Sequence, residues 1–132
     1  MNFSLDESHV LLRDSARRFL EKEADLAPLL VPGATVGDAG YDRLWSKIAA
    51  LGWPGMVVPE ADGGLGMTTL DLSLVLAECG RALAPCPLFG SLAGTWAILA
   101  AGSGDQRARW LPRVAAGELT LALGISGANG SA

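Results

Sequence analysis

Gly52-Trp53-Pro54-Gly55-Met56-Val57-Val58-Pro59-Glu60-Ala61-Asp62-Gly63-Gly64-Leu65-Gly66 interrupts a chain that otherwise reads as helices. Its glycines and prolines make it an ordered turn or a flexible break, because both residue types end regular structure. A loop of this kind between apolar, helix-periodic runs is often where a helical domain meets another part of a protein.

Working outward from it, apolar residues recur at helical spacing on both sides. Ser4 can cap a first helix, with Glu7 at the reciprocal position three residues on. Leu5, Leu12, Phe19 and Leu20, with Leu11 and Ala16, then form one stripe, and the helix is expected to reach about residue 26. Residues 28–40 read as a linker carrying Pro32, Gly33, Gly37 and Gly40. A second helix is expected over about 41–51, with Leu44, Ile48 and Leu51 on one face and Gly52 as its C-cap.

Beyond the loop a third helix is expected over about 69–83, starting near Thr68 or Thr69. Leu72, Val75, Leu76 and Cys79 give its inner face, and Leu70 and Leu74 widen it. Pro85 and Pro87 break the chain before a fourth, almost wholly apolar helix over about 88–101. Such a helix is central in a bundle or covered by another domain. Ser103-Gly104-Asp105-Gln106 offers a capping box to a short fifth helix, with Pro112 opening one further turn. Leu119 to Leu123 reads as a strand, whose backbone groups would need partners. The fold class is therefore all-α: an antiparallel bundle of five or six helices over residues 1–118. Residues 119–132 are the start of a β domain or a disordered tail, and the chain reads as one domain of something larger.

Composition removes several function classes. The chain has 132 residues, enough for one domain with a real core. It is 50% apolar and 18% charged. That is too apolar for disorder and low in charge for a free-standing surface. Some apolar surface is expected to be covered. The net charge is -4 and no basic cluster is present, which argues against nucleic-acid binding. The apolar run at 87–102 reads as a buried helix. It is short for a membrane span, which needs about 20 residues. Cys79 and Cys86 do not have metal-ligand spacing, and His9, the single histidine, cannot complete a site. Few cysteines and no basic-then-apolar leader give a reduced, cytoplasmic expectation.

Taken in order, several stretches match a known pattern. Phe19 and Glu21 sit in the first helix, and Leu44-Trp45-Ser46-Lys47-Ile48-Ala49-Ala50-Leu51-Gly52-Trp53 leads into Pro59-Glu60-Ala61-Asp62-Gly63-Gly64-Leu65-Gly66. Glu78-Cys79-Gly80-Arg81, Pro85-Cys86-Pro87, Gly102-Ser103-Gly104-Asp105-Gln106, Trp110-Leu111-Pro112 and Ala116-Gly117-Glu118 follow. This ordered set resembles the N-terminal helical domain of the acyl-CoA dehydrogenase family over nearly residues 3–124.

The resemblance implies an FAD-dependent oxidation of the Cα–Cβ bond of an acyl-CoA thioester, with electrons passed to an acceptor protein. The alanine-rich 85–102 region is similar to members described as acting on bulky, steroid-like or aromatic acyl groups in actinobacteria. By the same resemblance, the β domain and C-terminal bundle supply most flavin contacts and the catalytic glutamate. No catalytic, cofactor-binding or metal residue is therefore assigned here. FAD is expected in the full-length context and none for this segment alone, which is expected to be inactive as an isolated fragment. Acyl-CoA substrate and a homo-oligomer or partner subunit are the implied partners.

Individual candidates follow. Pro85, Pro87, Leu88, Phe89, Leu92 and Trp96 are the substrate-pocket candidates, because the resemblance puts this helix start at the inner end of the acyl-tail pocket. An apolar wall there gains roughly 0.8 kcal/mol per buried CH₂, although ordinary core packing explains each residue equally well. Glu60 and Asp62 are read as structural, with Glu60 capping a helix or pairing with an arginine. Gly63, Gly64 and Gly66 are read as permitting positive φ and close approach. His9 is a surface or helix-end residue, Cys79 a small buried hydrophobe, and Ser126 and Ser131 lack a nucleophile context. Glu78 and Arg81 pair at i,i+3, or either reaches another helix. Two alternatives to the dehydrogenase domain stay open: a non-catalytic interaction or oligomerisation module, and a small binder of apolar ligands with a cavity between the third and fourth helices.

Overall fold

The computed structural model describes residues 5–35 and 40–125. Five α-helices and no strand occur among these residues: α1 (Glu7–Glu23), α2 (Tyr41–Ala50), α3 (Thr69–Arg81), α4 (Leu88–Ala101) and α5 (Gly104–Ala115). The chain is an all-α bundle.

Three of the five helices, α1, α3 and α5, start where a side chain accepts from their orphan N–H groups, whereas α2 and α4 start at Gly40 and Pro87 without such a cap. For α1 that acceptor is Asp6, whose carboxylate takes the His9 N–H at 2.9 Å, while Ser4 lies outside the described residues. α3 opens on a capping box between Thr68 and Asp71, and α5 on one between Ser103 and Gln106. α1 stops at Glu23 rather than near residue 26, and the chain turns through a short 3-10 segment, Ala27–Leu30, with Pro28 at its start. α5 is one continuous helix with Pro112 inside it, not a short helix followed by a new turn. Proline there only forfeits one backbone hydrogen bond near the helix end, and Leu111, Val114 and Ala115 are buried on both sides of it.

The glycine-proline segment is ordered and forms part of the core. Trp53, Pro54, Gly55 and Met56 are buried around one 3-10 turn, Val58 is buried beyond it, and Glu60–Asp62 makes a second 3-10 turn. Three backbone bonds lace it: Leu65 N–H to the Gly55 carbonyl (2.9 Å), Gly66 N–H to Val58 (2.9 Å) and Met67 N–H to Met56 (2.7 Å). Positive φ falls at Gly63 and Gly66, whereas Gly64 is needed for close approach.

Trp53 and Met56 join Leu20, Leu44, Ile48, Leu72, Val75, Leu88 and Leu92 in the main cluster. Val58 joins Leu111 and Ala115 in a second. Burial of such side chains contributes about 1.5–3 kcal/mol each before entropy is counted. The Phe19 and Trp53 rings meet edge to face with centroids 5.3 Å apart. This is a favoured geometry for aromatic pairs. Trp45 Nε1 donates to the Gly117 carbonyl at 3.0 Å.

α1 and α3 run side by side in the same direction, since His9 faces Asp71, Arg17 faces Glu78 and Glu21 faces Arg81. α4 and α5 pack together after a two-residue link. The Leu119–Leu123 run has no ladder partner among the described residues and is not a strand. It leans on α4 instead: Leu121 N–H donates to Ser91 Oγ at 3.3 Å, and Gly94 has no side chain where Leu121 passes.

Candidate functional site

The turn between α3 and α4 builds the groove of interest. α3 ends in a pair of backbone bonds: Leu83 N–H reaches the Gly80 carbonyl at 3.1 Å, and Ala84 N–H reaches the Cys79 carbonyl at 3.0 Å. This is the Schellman arrangement, whose residue after the cap is left-handed and usually glycine. Here it is Leu83, with φ +48°, the sole positive-φ residue other than glycine among those described. The reversal carries the chain through Pro85, Cys86 and Pro87 into α4.

The result is a groove of about 300 Å³ lined by Leu76, Cys79, Gly80, Leu83, Ala84, Cys86, Leu88 and Phe89. No Asp, Glu, Lys, Arg or His side chain lines it. Its size sits at the lower end of small-molecule sites, which run to about 1,000 Å³. Leu83 and Phe89 form exposed rims, 70% and 71% accessible, while Leu88 is fully buried.

The six predicted residues divide. Leu88 and Phe89 line the groove. Pro85 and Pro87 flank Cys86 in the turn, half-buried, outside the lining. Leu92 lies one turn below Leu88 in the core, and Trp96 stands two turns beyond Phe89 on the outer face, 37% exposed. Cys79 and Leu83 belong to the wall although no reading of the residues placed them there. A cysteine seven residues from another, with Pro85 between them, was the available signal.

The two cysteines are free and act on each other. The Cys79 thiol and the Leu88 N–H at the start of α4 both favour the charged form of the Cys86 sulfur. Together they hold the Cys86 thiol down to about 7 against the opposing effect of burial. The same pairing, followed by burial, pushes the Cys79 thiol up.

Behind the groove, Glu78 is 4% exposed and clamped by two arginines. Arg17 donates to both its oxygens at 3.1 and 2.8 Å, and Arg81 donates at 2.6 Å while also reaching Glu21 at 3.0 Å. The Arg17 and then Arg81 hydrogen bonds hold the Glu78 carboxyl at about 2. Both sequence-level options for this pair are therefore realised together. In the loop it is Asp62, not Glu60, that pairs with an arginine, Arg107, at 3.1 Å. His9 lies near the start of α1 between Asp6 (2.9 Å) and Asp71 (3.3 Å). Ser126 and Ser131 lie outside the described residues.

A second groove of about 400 Å³ runs along α1, with Leu12, Ala16, Phe19, Leu51 and Trp53 beneath Arg18 and Lys22. No group of three or more His, Cys, Asp or Glu side chains that could hold a metal occurs among the described residues. No described helix is long and apolar enough to cross a membrane. The α3–α4 groove suits an apolar chain. Without a cation in its lining it does not suit the pyrophosphate of a dinucleotide.

Residues 6–118 match the family model described as acyl-CoA dehydrogenase, N-terminal domain. Acyl-CoA dehydrogenase IpdE2 of Mycobacterium tuberculosis (strain ATCC 25618 / H37Rv) is 36% identical over 104 residues, covering 77% of this chain and 32% of the relative. The chain thus spans about a third of the length of that relative. Among solved structures, a variant of the Tcur3481-Tcur3483 steroid ACAD superposes with a TM-score of 0.74 at 31% identity, over 88% of this chain and 32% of that one. The ChsE4-ChsE5 complex from Mycobacterium tuberculosis gives 0.71 at 26% identity, over 97% and 32%.

Proposed function

We propose a function from one premise: the chain belongs to the acyl-CoA dehydrogenase family, as its N-terminal domain. In an FAD-dependent enzyme that oxidises the Cα–Cβ bond of an acyl-CoA thioester, this domain forms part of the wall around the acyl tail. The observation that carries the reading is the apolar groove at the α3–α4 turn. Leu88 and Phe89 are the predicted residues within it; Pro85 and Pro87 set the turn, Leu92 supports it from the core, and Trp96 extends the apolar face outward. The domain's share of the chemistry is to bind the tail and exclude water from the reacting end.

FAD, the electron acceptor and the catalytic base belong to the full-length architecture, and no residue of this segment is assigned to them. A bulky or steroid-like acyl group is the substrate class supported by the steroid ACAD neighbour. A partner subunit or a second copy is supported by the likeness to the ChsE4-ChsE5 complex. Cytoplasmic localisation fits a chain with free thiols.

Titrating the protein with CoA and with acyl-CoAs of increasing chain length tests the reading by calorimetry. Acyl-CoA should bind more tightly than CoA. Affinity should rise by roughly three- to fourfold per added methylene until the groove is filled. Phe89→Ser should flatten that dependence without loss of fold, since its ring is largely exposed. Equal affinities for CoA and every acyl-CoA would sink the tail-pocket assignment. They would favour the second reading, an interaction module, for which exposed Leu83, Phe89 and Trp96 are the supporting observation.

A further inference from the structure

Two cysteines seven positions apart on an uninterrupted helix would sit about 10 Å apart along its axis. Cys79 and Cys86 instead line one groove, because the chain reverses between them. Three backbone bonds fix the reversal: Leu83 to Gly80, Ala84 to Cys79, and Cys86 N–H to the Ala84 carbonyl at 2.9 Å. Both cysteines line the same apolar groove, which gives a small reagent a way in. Their chemistry is unequal. The neighbouring Cys79 thiol and the Leu88 N–H favour the charged form of Cys86, so its thiol is held down while that of Cys79 is pushed up. Cys79 holds its proton until the other sulfur no longer needs it. A nucleophilic thiolate beside a protonated second thiol is the arrangement of a redox-active dithiol.

We propose that Cys79 and Cys86 are a reversible dithiol–disulfide site, oxidised by a low-molecular-weight disulfide that enters through the α3–α4 groove. The Cys86 thiolate attacks one sulfur of the reagent, forming a mixed disulfide and releasing one thiolate, which takes a proton from water. The Cys79 thiol then gives its proton to solvent, and its sulfur attacks the Cys86 sulfur, releasing the second small thiol. Two protein thiols lose two electrons and two protons, and one small disulfide becomes two thiols. The bond closes across the turn and ties the end of α3 to the start of α4. This site does not depend on what the groove binds.

Exposing the reduced 132-residue protein to oxidised glutathione, with intact mass and free-thiol count as readouts, tests the proposal without any acyl ligand. The expected product is a monomer that has lost two hydrogens, carries no glutathione and is restored by a dithiol reductant. Cys79→Ala should retain one glutathione adduct, because no second thiol resolves it. Cys86→Ala should react at least about tenfold more slowly. The alkylation rate of the parent should inflect near pH 7, and that inflection should move upward in Cys79→Ala. Glutathione retained on both thiols, cross-links between chains, or thiols that stay reduced would each overturn the proposal, and the parent protein alone suffices to read them.

Discussion

A methyl group placed on Gly64 would lie 2.1 Å from the Val58 carbonyl oxygen and 2.4 Å from the Val58 Cβ. Neither atom can swing away, because Val58 is fully buried and its carbonyl holds the Gly66 N–H. Gly64→Ala should therefore destabilise by about 2–4 kcal/mol, seen as a lower urea midpoint at unchanged m-value. A loss under about 0.5 kcal/mol would mean that the loop shifts freely and is not anchored as described. Leu83 shows the opposite balance. Its left-handed backbone costs roughly 1–2 kcal/mol. Its side chain, 70% exposed, recovers little by burial. Leu83→Gly should raise stability by about 0.5–1 kcal/mol after glycine's greater unfolded entropy is subtracted. The same change removes a groove rim and should weaken acyl-CoA binding. A thermal midpoint that rises while affinity falls would mark Leu83 as strain kept for the groove, and a midpoint that falls would remove that explanation.

At the scale of elements, the helices were legible where spacing and punctuation agree. α4 occupies its expected residues because Pro85, Pro87 and Gly102 bracket it. α2 and α3 end one and two residues early, where caps rather than periodicity decide. The capping box of α5 was readable from Ser103 and Gln106 alone. Ser103→Ala should cost about 1 kcal/mol and speed amide exchange in the first turn of α5. No change there would mean that packing of Leu111 and Val114 sets the helix start. What composition could not disclose is that Trp53, Met56 and Val58 point into the core, since glycines and prolines alone describe a break equally well. Pro112 misled for a related reason: its cost near a helix end is small beside the burial of its neighbours. The groove was half legible. Leu88 and Phe89 could be named, but the left-handed Leu83 has no sequence signature, and without it Cys79 has no reason to share the groove with Cys86.

For the whole molecule, the one buried carboxylate among the described residues ties two layers together. Glu78 on α3 holds Arg17 of α1 and Arg81 of its own helix, and Arg81 passes the link back to Glu21 on α1. Its carboxyl titrates at about 2 when folded, against 4.5 ordinarily. The unfolded chain therefore binds this proton at higher pH than the folded one. The stabilisation is complete above about pH 5 and disappears as the pH falls toward 2, amounting to at most about 3 kcal/mol. Asp71 and the other lowered carboxyls, Asp6 and Glu23, act in the same sense from more solvated positions. Glu78→Gln should cost about 2–3 kcal/mol at neutral pH, because two arginines lose their charged acceptor while remaining partly solvated. It should also flatten the stability profile between pH 5 and 2, since the group that carries most of the slope no longer titrates. Urea melts of both proteins across that range distinguish the cases. Parallel profiles would place the acid sensitivity in the exposed carboxylates, and convergence of the two proteins near pH 2 would place it in the α1–α3 clamp.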